Sequence, residues 1–208
     1  AASERLETRM TPAKGDDVET GTPVEVLAGP GVLRTAEQYL VELRETYGTR
    51  SGVAETSYYS ALANLFNEVG KSLKPRVRCV MNLKKRDAGM PDGGLFTADQ
   101  IQRMPDLEPK SGQLPARGAI EAKGTKPDVQ TIAASEQVKG YLNTYGIVIV
   151  TNLREFLIVE RGPNCRAVER ESFSLAADEQ DFWNDKVAHP RKTAQIRGAQ
   201  FIEFIKRA

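Results

Sequence analysis

The sequence predicts an α/β protein with a mixed central β-sheet flanked by helices on both sides. Two observations predict this class. Segments with helical spacing come first, followed by three short strand-like segments, a helix and two more strands. The run at 147–150 is apolar throughout, which is typical of a strand buried on both faces. A length of 208 residues fits one domain with additions, or at most two small domains.

The N-terminal part is predicted to be a polar arm followed by two helices. Residues 1–31 are polar and contain acidic residues, glycines and prolines, so we expect an irregular tail or arm. Residues 33–47 show helical spacing of apolar side chains, and a second helix is expected at about 56–72. Thr56 or Ser57 can cap this second helix with a side-chain hydroxyl.

The centre of the chain is predicted to contain strands, a loop and one long helix. Residues 104–115 include three prolines and a glycine, which exclude a paired strand and favour a loop. Asp128 is expected to cap a helix that continues to about Tyr145, where Gly146 ends it. The three short strands are expected at about 76–81, 93–97 and 118–123.

The C-terminal part is predicted to complete the sheet and then to become helical. A strand is expected at 155–160 after a tight connection, and residues 161–164 form a turn. Helices are expected at about 178–187 and 192–206. The predicted organisation is a polar arm at 1–31, a core at 32–172, and a helical extension or linker to a further domain at 173–208.

Composition argues against membrane and structural-zinc functions. No apolar run approaches the length of a membrane span and no signal-peptide pattern is present, so we expect a cytoplasmic protein. Cys79 and Cys165 lie far apart in strand-like runs and are expected to be reduced, buried thiols. Two cysteines and a single histidine are too few for a typical structural zinc site.

The basic residues are unevenly distributed, although the net charge is only +1. Residues 71–86 include seven basic residues and no acidic one. Such a run is often only a solvated face, but a phosphate backbone can also lie against it. We expect Lys84, Lys85 and Arg86 to bind nucleic acid.

Two acid-x-lysine triplets occur, and each follows a Pro-Asp pair. Glu108-Pro109-Lys110 lies in the proline-rich loop, where no strand can form. Glu121-Ala122-Lys123 lies in a strand-like segment, where Glu121 and Lys123 point to the same face because strand side chains alternate. Asp92 opens the preceding short strand, so a neighbouring strand can bring its carboxylate beside Glu121.

These residues resemble the motifs of the PD-(D/E)XK nuclease superfamily, which has a restriction-endonuclease-like fold. Pro91-Asp92 matches the first half of the motif, and Glu121-Ala122-Lys123 matches the second. The resemblance covers about residues 50–172 and makes 32–172 the nuclease core. It also includes Gln137 and Tyr141, which match the Gln-x-x-x-Tyr element of RecB-like and type I restriction branches, and Glu55, which matches an acidic residue before the strands.

The resemblance implies a site for Mg²⁺, with Mn²⁺ able to substitute. Asp92, Glu121 and the Ala122 carbonyl would supply the oxygen ligands that magnesium prefers, and Glu55 is a further candidate ligand. The metal would lower the pKa of a bound water. Lys123 would orient or activate that water and offset negative charge on the phosphate. Gln137 shares a helix face with Tyr141, which could contact the scissile phosphate or the site.

The segments 91–96 and 150–156 also look like the N-terminal nuclease domain of large single-chain restriction–modification proteins. That resemblance implies DNA as partner, a role in antiviral defence, and further domains in a longer polypeptide. In such proteins a methyltransferase follows, sometimes with an ATPase motor between. Cleaving both strands needs two active sites or two visits, so dimerisation or collision of larger complexes is expected.

Two alternatives stay open. The same fold could serve as a non-catalytic nucleic-acid-binding or interaction module. The motif chemistry does not read the sugar, so an RNA-directed or structure-specific nuclease is also consistent with the sequence. Taken singly, Asp92 could be a turn residue, and Glu121 with Lys123 a plain ion pair.

Overall fold

Six strands form a mixed sheet in the computed structural model, which describes residues 29–49, 54–83, 90–102 and 108–208. The strand order in space follows the chain order, and β3 and β4 form the parallel pair whereas the other neighbours are antiparallel. The strands are β1 (Val77–Met81), β2 (Gly93–Thr97), β3 (Ala119–Ala122), β4 (Ile147–Thr151), β5 (Glu155–Arg161) and β6 (Ala167–Ser174).

Helices cover both faces of this sheet. On one face α1, α2 and α6 share a hydrophobic cluster with the sheet, and on the other face α3 and α4 share a second one. The predicted α/β class is therefore confirmed, and it is compatible with a restriction-endonuclease-like core. The helices are α1 (Pro30–Gly48), α2 (Tyr59–Gly70), α3 (Val129–Ala133), α4 (Glu136–Tyr145), α5 (Glu179–Asp181) and α6 (Pro190–Arg207), with a π-helical turn at Phe182–Lys186 and 3₁₀ turns at Glu55–Tyr58, Ala98–Gln100 and Pro163–Cys165.

The apolar run in β4 is buried on both faces of the sheet, as the sequence predicts. Ile149 packs into the cluster under α1, α2 and α6, whereas Val148 and Val150 pack into the cluster under α3 and α4. None of the three side chains is exposed. A strand buried on both faces is typically a near-continuous apolar run, which explains why polar residues do not alternate at 147–150.

Two predicted features of the helices differ from the structure. Neither Thr56 nor Ser57 caps α2, because a 3₁₀ turn at Glu55–Tyr58 precedes it. The single helix expected from Asp128 to Tyr145 is two helices. Asp128 caps the first through a 2.9 Å bond from the Thr131 N–H, and Ser135 caps the second through a 3.2 Å bond from the Val138 N–H. The Ser135 hydroxyl offers the backbone a new helix start, and the helix breaks there.

Strand β6 and the first residues of α1 lie where no regular structure is predicted. β6 pairs with β5 at the edge of the sheet, and most of its side chains are exposed or half-buried. Helix α1 begins at Pro30, inside the predicted polar arm, and proline is favoured in the first turn of a helix. Cys165 belongs to a 3₁₀ turn and not to a strand, whereas Cys79 is a buried free thiol in β1.

The C-terminal helix packs onto the rest of the fold. Phe201 and Phe204 of α6 lie in the same hydrophobic cluster as Tyr39 and Leu40 of α1. Strand β6 runs past the predicted boundary at 172 and ends at Ser174. The division into arm, core and extension stays a prediction. Within the described residues, no helix combines the length and the apolar character needed to cross a membrane.

Candidate active site

The predicted site residues come together where β3 ends and β2 begins. The two strands are antiparallel, with Gly93 opposite Ile120, so the start of β2 lies beside the end of β3. Asp92 directly precedes β2, Glu121 lies within β3, and Lys123 follows it. The Lys123 N–H still donates to the Thr151 carbonyl at 2.8 Å, which continues the pairing with β4 and fixes the backbone.

Both carboxylate oxygens of Asp92 accept hydrogen bonds. Oδ2 accepts from the Ala122 N–H at 2.8 Å, and Oδ1 accepts from the Tyr59 hydroxyl at 2.5 Å. Burial, together with the bond to Asp92, raises the pKa of Tyr59 well above its ordinary value, so Tyr59 stays a neutral donor. These two bonds fix the orientation of the carboxylate towards Glu121 and Lys123.

Glu121 is a buried carboxyl group with one close cationic partner. Its side chain is 1% exposed, and Oε1 lies 2.6 Å from the Lys123 Nζ. Burial raises the pKa of Glu121 to about 7, although the hydrogen bond from Lys123 opposes the shift. Without additional positive charge, the group is therefore only partly ionised near neutral pH.

Lys123 lies among three carboxylates. Its Nζ is 2.6 Å from Glu121, 3.5 Å from Glu55 and 3.9 Å from Asp92. Burial disfavours the ammonium, but the hydrogen bond to Glu121 and the nearby negative charges raise the pKa of Lys123. The lysine therefore remains charged and holds the carboxylates together. Glu55 comes from the 3₁₀ turn before α2, so the cluster collects residues from three separate parts of the chain.

Gln137 and Tyr141 lie on the face of α4 that meets the cluster. The Gln137 Nε2 lies 3.4 Å from the Glu121 Oε2 and donates to the Tyr141 hydroxyl at 2.7 Å. Tyr141 is only 2% exposed and donates to the Met90 carbonyl at 2.6 Å. The tyrosine thus ties the backbone next to Asp92 to α4. Its predicted contact with DNA stays a prediction, and the observed bonds favour a supporting role.

Comparison with known proteins identifies no family for this chain. No family model matches it, and no curated protein matches it. Among solved structures, it resembles part of a cryo-EM structure of a DrdV–DNA complex, with a TM-score of 0.47 and 16% sequence identity. The match covers 78% of this chain but 14% of the other, so the chain spans a small part of that protein's length. A similarity of this size assigns neither a family nor an activity.

The donor chemistry of the cluster fits a magnesium ion. Asp92 and Glu121 provide carboxylate oxygens. The positive charge near the buried Glu121 is too small to keep this carboxyl group fully ionised, and a bound cation would add to it. Among the described residues, no three His, Cys, Asp or Glu side chains form a metal site by themselves. Magnesium commonly takes one or two carboxylates and keeps several waters, so two carboxylates with the predicted Ala122 carbonyl suffice. Glu55, which contacts Lys123, is the weakest candidate ligand.

The second triplet lies away from this cluster. Pro109 forms an isolated bridge with Ile101, so the segment is tied down, although no strand forms in its described part. The bridge does not need an N–H group from Pro109. Its two hydrogen bonds run from the Gln102 N–H to the Glu108 carbonyl and from the Lys110 N–H to the Gln100 carbonyl, each at 2.8 Å. The predicted nucleic-acid contacts Lys84, Lys85 and Arg86 lie outside the described residues.

Sequence reasoning misses the side chains that support the cluster. Tyr59 falls within the helix predicted at about 56–72, and nothing in the sequence marks this residue as the donor to Asp92. Arg154 is buried and donates through Nε to the Thr125 carbonyl at 3.3 Å, and the Asn152 amide donates to the Pro127 carbonyl at 2.8 Å. Together they hold the loop that follows Lys123.

Proposed function

We propose that this protein is a Mg²⁺-dependent endonuclease of the PD-(D/E)XK type that hydrolyses phosphodiester bonds of DNA. One observation carries the proposal. Two carboxylates, Asp92 just before β2 and Glu121 within β3, converge on a single lysine, Lys123. Such a set can bind a divalent cation and a phosphate side by side. A surface ion pair would need neither the burial of Glu121 nor the two hydrogen bonds that orient Asp92.

The chain's own residues have separate roles in this proposal. Bound Mg²⁺ would supply positive charge for the phosphate and lower the pKa of a water. Asp92 and Glu121 would hold the cation, and Tyr59 with the Ala122 N–H keeps Asp92 in place. Lys123 orients the attacking water and stabilises negative charge on the phosphate as a P–O bond breaks. Gln137 orients Glu121 through its amide.

The proposed setting is the cleavage module of a restriction–modification or other defence protein. The sequence segments at 91–96 and 150–156 support it, because they resemble the nuclease domains of such proteins. DNA is the proposed partner, and the basic run at 71–86 supports contact with a phosphate backbone. A methyltransferase and a motor domain would belong to other parts of a longer polypeptide.

A non-catalytic module on the same fold is the second candidate. The observation in its favour is that the Lys123 ammonium already lies between the carboxylates, where it offsets part of their charge without a metal. In that case the cluster would stabilise the fold and the protein would bind nucleic acid without cutting it. The two candidate functions differ in whether the protein cleaves DNA when a divalent cation is present.

Plasmid cleavage tests the proposal, and the second triplet provides the control. Supercoiled plasmid is incubated with wild type, Lys123→Ala and Lys110→Ala, with and without Mg²⁺. We expect nicking by wild type and Lys110→Ala only when Mg²⁺ is present, and a rate about 10²–10³-fold lower for Lys123→Ala. Binding without cleavage by wild type in Mg²⁺ or Mn²⁺ would support the non-catalytic module. A severe loss in Lys110→Ala alone would mean that the other triplet is catalytic.

A further inference from the structure

An open cleft of about 970 Å³ adjoins the carboxylate cluster. Lys123 and Glu55 line this cleft and also belong to the cluster, so the two sites are continuous. The rest of the lining differs in character from the cluster. It includes three aromatic side chains, Tyr47, Tyr58 and Trp183, and the loop at 124–127.

The aromatic wall of the cleft is held by ring stacking and side-chain hydrogen bonds. Tyr47 and Trp183 stack with ring centroids 4.0 Å apart and an angle of 10° between the rings. The Trp183 indole N–H donates to the Thr125 hydroxyl at 3.1 Å, and that hydroxyl donates to Glu179 at 2.7 Å. Tyr47 nevertheless remains 51% exposed. Part of its surface is thus available to a ligand.

Among the described lining residues, the cleft offers a nucleotide one basic side chain besides Lys123. The carboxylates of Glu55 and Glu179 are engaged by Lys123 and Thr125, respectively. Lys126 is exposed and makes no ion pair with any residue that the structure describes. The lysine can therefore contact a phosphate. Gly124 adds room, because nothing lies within 4 Å of where its side chain would be.

We infer that this cleft binds an unpaired nucleotide of DNA, with its base against the Tyr47–Trp183 pair and its backbone near Lys126. The inference rests on the proposed function, which places the scissile phosphate at Lys123. A strand leaving that position enters the cleft, because Lys123 lines both. Aromatic rings can contact the face of a base only when the base is unstacked from its duplex. The cleft thus selects DNA that is single-stranded or locally unwound beside the cleavage position.

Trp183 reports directly on this site, because it is the only tryptophan in the chain. Its fluorescence is titrated with an oligothymidylate single strand and with the same strand in a blunt duplex, both without divalent metal so that no cleavage occurs. We expect saturable quenching by the single strand at lower concentration than by the duplex. Equal affinity for the two forms would overturn the inference.

Two substitutions at Tyr47 separate ring stacking from general burial. Tyr47→Phe keeps the aromatic face, whereas Tyr47→Leu keeps apolar volume and removes the face. We expect Phe to bind the single strand like wild type and Leu to bind about 5- to 150-fold more weakly, the range for loss of one stacked base. Thermal unfolding of both variants checks that they fold. Equal affinity of two folded variants would show that Tyr47 does not stack on a base.

The plasmid assay keeps this inference separable from the proposed function. Quenching by the single strand together with no cleavage by wild type would support the nucleotide cleft and refute the nuclease. Mg²⁺-dependent cleavage without quenching would support the nuclease and refute the cleft.

Discussion

From the burial of Glu121 we predict how the unfolding free energy of the metal-free protein depends on pH. The substitution Glu121→Gln tests this prediction. The pKa of Glu121 rises from 4.5 to about 7 in the folded state. Each pKa unit corresponds to about 1.4 kcal/mol, so the shift corresponds to about 3 kcal/mol of folding free energy. Glutamine keeps the size of the side chain and removes its ionisation. The difference in stability between the two proteins should therefore depend on pH.

The sign of this pH dependence follows from proton binding. The folded state holds the Glu121 proton more tightly than the unfolded state does. The stabilising contribution is therefore complete below pH 4.5 and is lost as the pH rises to about 7. Wild type should lose about 3 kcal/mol over this interval from Glu121 alone, and Glu121→Gln should not. Titrating groups that do not interact with Glu121 are shared, so their effects cancel in the comparison.

Urea unfolding in chelator at pH 4.5 and pH 8 measures this difference. We expect the unfolding free energy of Glu121→Gln, relative to wild type, to increase by about 3 kcal/mol between the two pH values. Glu108→Gln, in the second triplet, is the matched substitution outside the cluster. Parallel pH profiles for wild type and Glu121→Gln would refute the claim that burial keeps this carboxyl protonated.

Three further predictions concern the hydrogen bond that supports Asp92, the backbone at Gly118 and the basic run at 71–86. Tyr59→Phe removes one of the two donors to Asp92 and should weaken Mn²⁺ binding about 10- to 100-fold. Tyr58→Phe is the control and should bind Mn²⁺ like wild type. Equal Mn²⁺ affinity of Tyr59→Phe and wild type would contradict the supporting role of Tyr59. Gly118 has a φ of +117°, and an added Cβ would lie 2.9 Å from the Ile147 carbonyl oxygen. Gly118→Ala should thus lower the unfolding free energy by about 1–3 kcal/mol in urea titrations, and an unchanged value would show that the backbone adapts. Replacing Lys84, Lys85 and Arg86 by alanine should reduce the slope of log affinity for DNA against log salt by about one for each phosphate that the protein no longer neutralises, and an unchanged slope would mean a solvated face.

The central strands were predictable because local pattern and tertiary environment agree. In β4 the four side chains at 147–150 are apolar, and Val148, Ile149 and Val150 pack into the two hydrophobic clusters. In β3 the alternation places Glu121 on the face opposite Ile120, and the structure brings it against α4. Strand β6 was not predictable in the same way. Its sequence is rich in charged residues because it lies at the sheet edge, and only its pairing with β5 makes it a strand.

The sequence predicts the chemistry of the site better than it predicts the side chains that support the site. The residue types at 92, 121 and 123 suggest metal and phosphate chemistry by themselves. The bond from Tyr59 to Asp92 joins residues 33 positions apart and depends on how α2 packs on the sheet. No local pattern encodes that packing. The aromatic cleft has the same origin, because Tyr47 and Trp183 meet only when the C-terminal segment packs beside the end of α1.

The claim on which the proposed function depends is that Asp92 and Glu121 bind a divalent cation. Calorimetric titration with Mn²⁺ of wild type, Asp92→Ala and Lys123→Ala tests it most directly. We predict saturable binding to wild type, a large loss in Asp92→Ala, and retained binding in Lys123→Ala, because that substitution removes no ligand. Absence of binding to wild type, or equal loss in both variants, would contradict the assignment of Asp92 as a ligand and Lys123 as the group that acts on water and phosphate.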